Sequence, residues 1–488
     1  MKKFSLLLIS LVCVCALSAV PIRILHTNDT HGIYQAQNTK SGDHIGGYIN
    51  LEHHLSHARS SAARSIYVDA GDQQTGSIFA SMTHNGAIGG AVIEVFNLLG
   101  LDASTFGNHE FDQSFANTIK LTELADYPFV STNLRTKQDK PFGQNPYKII
   151  ALDSLKIGIM GLTLVELPEK VKRENISELN ILPYKQAIDE YIDYVDANSD
   201  LIILLTHLGI EADSLLAATL DNRIDLIIGG HSHVNIEEPW QVNGIYIASA
   251  GSHNMLLGQL DIDVLNDRIA SLKTTQIPLW QPKELADTRL ANFVTTLADS
   301  IQISMGKTIA RIPEDWKPDK FKETAVSKWV ANSLLAEYKK PYKPDIAIIN
   351  NGGIRKYIPA GDVTLGDMHE LLPFSNYVVL FSCYGKDLLK MDEYNRRNAV
   401  DKPYDIVQTA GLKEAVQDCP GGHGHSKKVW EVNNRALEPN TKYRVVSHDY
   451  IVGQWDKYLG FEPFDVQETG DLILEAMIKQ LILQFGNK

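Results

Sequence analysis

Five short polar segments in this 488-residue chain carry side chains of metal-binding type, and each follows an apolar, β-rich run. They are His26-Thr27-Asn28-Asp29-Thr30-His31-Gly32, Asp69-Ala70-Gly71-Asp72, Gly107-Asn108-His109-Glu110-Phe111-Asp112, Thr206-His207-Leu208-Gly209 and Gly229-Gly230-His231-Ser232-His233. In an extended chain residues i and i+2 share a face, so the spacing of Asp29 with His31, and of His231 with His233, predicts paired donors at a strand end. Carboxylate, imidazole and amide oxygen together suit dications such as Zn, Mn, Fe or Co. Taken singly, each segment has an ordinary structural reading: a surface turn at Asp29, a turn or helix start at Asp72, a hydrogen-bonded core histidine at His207. Coincidence would have to repeat at five strand ends. The chemistry that such a set suits is phosphate-ester hydrolysis, which needs an activated water, a place for developing negative charge and a stabilised leaving oxygen. Two ions about 3.5–4 Å apart, sharing a carboxylate, supply all three.

The elements that must position these groups are legible from periodicity. Continuous apolar runs at Ile22–Leu25, Ser65–Val68, Asp200–Leu205 and Asp225–Ile228 predict strands buried on both faces, as in an α/β sandwich. Helical spacing appears at Ala91–Leu99 and Tyr184–Val195. A polar-faced helix is expected over Pro282–Ile303, followed by Met305-Gly306-Lys307. A second block then opens with a helix at Ala325–Tyr338 and a strand at Asp345–Ile349, which leads into Asn350-Asn351-Gly352-Gly353-Ile354-Arg355. The expected division is therefore a leader at 1–19, a first domain at 20–281, a linker helix at 282–305 and a second domain at 306–488. A chain this long exceeds the size at which one core stops growing.

Hydrophobic residues at 44% and charged residues at 22% describe a globular chain. The net charge of −13 excludes a nucleic-acid backbone as partner, since that needs clustered Lys and Arg. Bound dications would bring the positive charge that an acidic chain lacks for handling phosphate esters. Lys2 and Lys3, the apolar run Phe4–Val14 and the small residues near Ala19 form a secretory signal pattern, too short to span a membrane. Soluble export, periplasmic or secreted, is expected. Lipid anchoring through Cys13 or Cys15 is the lesser alternative, because Val12 and Val14 precede them where a small residue is wanted. Beyond the leader only Cys383 and Cys419 remain, which excludes a cysteine-based metal site and leaves their pairing open.

The five segments, in this order, resemble the calcineurin-type metallophosphoesterases. Gly107-Asn108-His109-Glu110-Phe111-Asp112, together with Leu25-His26-Thr27-Asn28-Asp29-Thr30-His31-Gly32, is similar to their 5'-nucleotidase branch. The resemblance implies a four-layer α/β/β/α sandwich followed by a C-terminal α/β substrate-recognition domain. It implies two divalent ions: one on Asp29, His31 and His233, the other on Asn108, His207 and His231, with Asp72 bridging. His109 would meet the phosphate, oriented by Asp112, and Asn108 would also reach substrate. Asn350-Asn351-Gly352-Gly353-Ile354-Arg355 resembles the family's substrate loop, implying contacts from Asn351 and Arg355, and Phe374 matches an aromatic that stacks on a nucleobase. The chain departs from the family at Ala325-Val326-Ser327-Lys328-Trp329, where relatives carry an Arg. It departs again at the C-terminal aromatic loop, where Tyr450, Trp455 and Tyr458 are candidates for a second ring. Hydrolysis of nucleoside monophosphates is the implied activity. Cyclic-nucleotide or nucleotide-sugar cleavage on the same metals is the alternative, and a secreted binding protein with a structural metal site is the non-enzymatic one.

Overall fold

The computed structural model describes residues 19–39, 42–143, 145–374, 376–401, 406–418 and 426–486. The expected leader, apart from Ala19, and Cys419 lie outside the described residues. The two large sheets of the first domain are built from β1 (Val20–Thr27), β2 (Ser65–Asp69), β3 (Ala103–Ser104), β4 (Tyr147–Leu152), β5 (Leu155–Thr163), β6 (Leu201–His207), β7 (Leu226–Gly229), β8 (Trp240–Val242), β9 (Ile245–Ala248), β10 (Leu256–Val264) and β11 (Ile269–Pro278). They form a five-stranded sheet of order β11-β10-β1-β2-β3 and a six-stranded sheet of order β8-β9-β7-β6-β5-β4.

The apolar runs are continuous because these strands have no solvent face. In β6, Leu201, Ile203 and Leu205 point into a core shared with Ile22 and Ile24 of β1 and with Ile66 and Val68 of β2. Ile202 and Leu204 of the same strand point the other way, toward the helices. Helices α1 (Tyr48–Ser60), α2 (Gly90–Leu99) and α3 (Tyr184–Ala197) contribute the outer layers, burying Leu51 and Leu55, Val92 and Phe96, and Ile188 and Ile192. The architecture is the four-layer α/β/β/α sandwich.

One expected element is shorter than its periodicity suggests. Helix α4 runs from Arg289 to Met305, so residues 282–288 are not helical. Thr288 adopts an extended backbone, and its side chain accepts from the Ala291 amide, an N-cap that sets the start. The Thr288 hydroxyl also donates to Glu52 on α1 at 2.6 Å, and Leu290, Val294 and Ile301 enter the first domain's core. The second domain follows with α5 (Ala325–Tyr342), β12 (Ile346–Asn350), β13 (Tyr377–Tyr384), β14 (Val407–Ala410), β15 (Lys442–His448), β16 (Phe464–Leu472) and α6 (Ile473–Phe485). Its five-stranded sheet has the order β14-β12-β15-β13-β16, with its own core of Val326, Val330, Ile349, Leu380 and Met477. Among the described residues no helix is long and apolar enough to cross a membrane.

Candidate metal centre

Parallel pairing decides where the polar segments meet. Strands β1, β2 and β3 run parallel, and so do β5, β6, β7 and β9. Their carboxyl ends therefore open the crevice in which α/β sheets bind ligands. Asp29 and His31 follow β1, Asp72 follows β2, Asn108 and His109 follow β3, His207 closes β6, and His231 and His233 follow β7. The extended geometry expected for the paired donors does not hold. Asp29, His31, Asp72, His231 and His233 all adopt left-handed φ, between 50° and 79°. For residues with a Cβ this costs about 1–2 kcal/mol each, so the surrounding structure must impose it. Hydrogen bonds from backbone amides do so: Asp29 N–H to Gly71 O at 2.9 Å, His31 N–H to Asp72 O at 3.0 Å, and His231 N–H to the Asp29 carboxylate Oδ2 at 3.0 Å.

Close approach also dictates Gly107, where a Cβ would lie 2.1 Å from Asp72 Oδ1. Glu110 clamps the same turn, accepting from the amides of Gly107 at 2.7 Å, Gln73 at 2.8 Å and Asp72 at 3.1 Å. Burial, with Asp72 adding to it, pushes the Glu110 carboxyl up to about 7.

The donors present a cavity for cations. His207 gives its Nδ1 proton to Ala70 O at 2.8 Å, which turns Nε2 toward Asp72 Oδ2 at 3.0 Å. His31 likewise donates from Nδ1 to Thr75 O at 2.8 Å, and its Nε2 faces His233 Nε2 at 3.1 Å. His233 Nε2 is in turn 3.4 Å from Asp29 Oδ1. The buried Asn108 Oδ1 has no hydrogen-bond partner. Asp72, His207 and His231 place ligand atoms within 4.8 Å of one another, as do His31, Asp72 and His109. Facing ring nitrogens, an orphaned amide oxygen and two buried carboxylates fit divalent ions in the manner of mixed N/O sites.

The protonation pattern carries the same message. Burial alone would raise the Asp72 carboxyl, but His207 and then His109 hold it well below its ordinary value. Burial works likewise on Asp29, outweighed by the hydrogen bond from His233 and the charge of His207. Burial would lower His207, yet Asp72 and Asp29 drive it up to about 10. Its extra proton supplies positive charge that the carboxylates demand and that a dication would supply instead. Burial, reinforced by neighbouring histidines, lowers His31 well below its usual range and His231 to about 3, leaving both neutral as ligation requires.

His109 stands apart from this set. Its Nδ1 meets Asp112 Oδ2 at 2.6 Å, and its Nε2 is 3.9 Å from Asp72 Oδ2. A cleft of about 390 Å³ runs from Asp72, Asn108, His109 and His233 in the first domain to Asn350, Arg355, Phe374, Tyr450 and Tyr458 in the second. Phe374 stacks on the His109 ring with centroids 6.1 Å apart, and the Arg355 guanidinium lies 5.8 Å from the Phe374 centroid. Asn351 does not line this cleft: its amide donates to Asp319 O and Lys322 O, and neighbouring Asn350 faces the cavity. Trp455 packs with the second domain's core instead of the cleft.

Two features escaped the linear reading. Lys170, Lys172, Lys320 and Lys457 converge on the cleft beside the expected Arg355, so this acidic chain does gather its own cations there. These lysines come from separate short helices and loops, and no local pattern marks them. The second is His253, whose ring lies 5.3 Å from His31 and 5.2 Å from His233, centroid to centroid. Its signal was present as Ala250-Gly251-Ser252-His253 after an apolar run, the same strand-Gly-His order seen at His231.

Fold and site together define a class, the metallophosphoesterases, joined here to a second domain that closes the cleft. Comparison with known proteins agrees. Residues 22–235 match the calcineurin-like phosphoesterase family, and residues 304–463 match the 5'-nucleotidase, C-terminal domain. The chain is 27% identical to the trifunctional nucleotide phosphoesterase protein YfkN of Bacillus subtilis, over 96% of this chain and 34% of that protein, so it spans about a third of that relative's length. It is 25% identical to the snake venom 5'-nucleotidase of Gloydius brevicauda, over 93% of this chain and 85% of the relative. A 5'-nucleotidase precursor from Thermus thermophilus shares the fold with a TM-score of 0.81 at 22% identity, covering 96% of this chain and 97% of that one. The chain belongs to the 5'-nucleotidase family of calcineurin-like phosphoesterases and is a phosphoric ester hydrolase.

Proposed function

We propose that the protein is an exported 5'-nucleotidase-type phosphohydrolase that holds two divalent ions and releases phosphate from nucleoside monophosphates. In this reading Asp29, His31 and His233 would hold one ion and Asn108, His207 and His231 the other, with Asp72 as the ligand they would share. Ions bound there polarise phosphoryl oxygens and lower the pKa of a water at neutral pH. The chain's own residues do the rest. His109, fixed through Nδ1 by Asp112, turns Nε2 toward the phosphate and protonates the leaving oxygen. The Arg355 fork pairs with phosphate oxygens, and the cleft lysines draw an anionic ester in. Phe374, with Tyr450 or Tyr458, supplies aromatic faces for the base. The domain limits are those read from sequence, except that the linker helix begins at Arg289, and export rests on the charged, apolar and small residues of 2–19.

The observation that carries this reading is the convergence of donors with facing ring nitrogens and an orphaned Asn108 oxygen beside His109, all at one end of a cationic cleft. The test is metal analysis of the purified protein together with phosphate release from AMP, ADP, UDP-glucose and 2',3'-cyclic AMP. Two ions per chain and preferential turnover of AMP are expected. If AMP is ignored while another ester turns over quickly, the nucleotidase reading is wrong.

A further inference from the structure

We propose that His253 is an additional protein ligand to the ion assigned to Asp29, His31 and His233, making that position a three-imidazole site; this rests on the two-metal reading above. Ligand atoms of His31, His233 and His253 lie within 4.8 Å of one another. Imidazole nitrogens each about 2.0–2.1 Å from one ion lie at most roughly 4.2 Å apart, so modest side-chain adjustment closes the set.

The backbone holds His253 for this role. Residues 250–254 are strapped to the loop that carries Asp29: His253 N–H donates to Asp29 O at 2.7 Å, Asn28 Nδ2 to Gly251 O at 2.6 Å, and Ala250 N–H to Asn28 Oδ1 at 2.9 Å. Movement of either loop therefore carries the other with it. His253 has φ 57°, the same left-handed conformation found at the neighbouring donors. Such conformations in residues with a Cβ persist where the surroundings impose them, and they cluster at functional sites. Ser252 Oγ lies 2.7 Å from His253 Nδ1. A hydroxyl accepting the Nδ1 proton fixes the tautomer that leaves the Nε2 lone pair for a metal, the arrangement seen around ligating histidines. Topology agrees as well, since β9 runs parallel to β7 and delivers His253 to the same edge as His231.

A third imidazole makes this position softer than one built from oxygen donors. It favours Zn, Fe or Co over Mg or Ca.

The test compares wild type with His253→Ala and His253→Gln, each stripped of metal and reloaded with Zn or Co. Metal content is read by mass spectrometry, affinity by competition with a chelator, and coordination by the visible absorption of Co. Wild type is expected to hold two ions. Both variants should keep one ion at wild-type affinity, lose at least tenfold in affinity for the other, and show an altered Co band. Ser252→Ala should weaken the same ion less. Two ions held by either folded variant with wild-type affinity and spectrum overturn the proposal, even when KM rises, because that pattern marks a substrate contact. Fewer than two ions in wild type would bring down the two-metal reading itself, and this proposal with it.

Discussion

Replacing Asp112 by Asn isolates the orienting partner of His109. The two side chains are only 10% and 12% exposed, and the contact is short at 2.6 Å. A hydrogen bond to a charged group in such a place contributes about 1.5–3 kcal/mol. At about 1.4 kcal/mol per factor of ten, the expected loss in kcat is roughly 10- to 150-fold. The Asn oxygen still accepts from Nδ1, so ring placement survives and the loss is mainly that of charge. Burial pulls the His109 pKa down, but Asp112 and then Asp72 outweigh it and hold it above its ordinary value. With Asp112 neutral, His109 gives up its proton at lower pH, so the alkaline limb of the kcat–pH profile should move toward acid. The assay is phosphate release from AMP between pH 5 and 10 with metal content measured in parallel. Wild-type kcat with an unshifted profile would refute the dyad, and loss of metal would show that Asp112 supports the ligands instead.

Asp72→Asn should cost at least one ion per chain, since it removes the buried carboxylate assigned to both ions; elemental analysis checks this, and two retained ions contradict the bridging role. Arg355→Lys removes the planar fork but keeps the charge, so kcat/KM should fall roughly 10- to 100-fold with metal occupancy unchanged; initial-rate kinetics decide it, and wild-type kcat/KM would take Arg355 out of phosphate recognition. Asp213, fully buried behind His207, has its carboxyl pushed by burial up to about 7. The folded protein thus binds a proton that the unfolded chain has released between pH 3.8 and about 7, and this contribution to stability declines as pH rises through that window. Asp213→Asn should therefore gain stability relative to wild type at pH 8 compared with pH 5, read from denaturation midpoints; the same difference at both pH values would show that Asp213 is ionised throughout.

The sandwich and the order of its chemical segments were legible in the linear chain. Uninterrupted runs such as Leu201–Leu205 can be satisfied only by strands buried on both faces, and paired donors within a few residues are local patterns. Helix α4 was legible in its amphipathic part and not at its start, because the Thr288 cap, and not hydrophobic spacing, sets that boundary. Three matters belonged to the tertiary structure alone. Left-handed backbone at Asp29, His31, Asp72, His231 and His233 depends on hydrogen bonds between separate loops, so short-range propensity opposes it. The facing of His31 and His233, 202 residues apart, depends on which strands are neighbours and in what direction they run. The place of His253 and the gathering of Lys170, Lys172, Lys320 and Lys457 likewise arise from packing two sheets and a second domain around one crevice. Residue type and spacing set the available chemistry; long-range strand pairing, which no local interaction encodes, determined which groups meet.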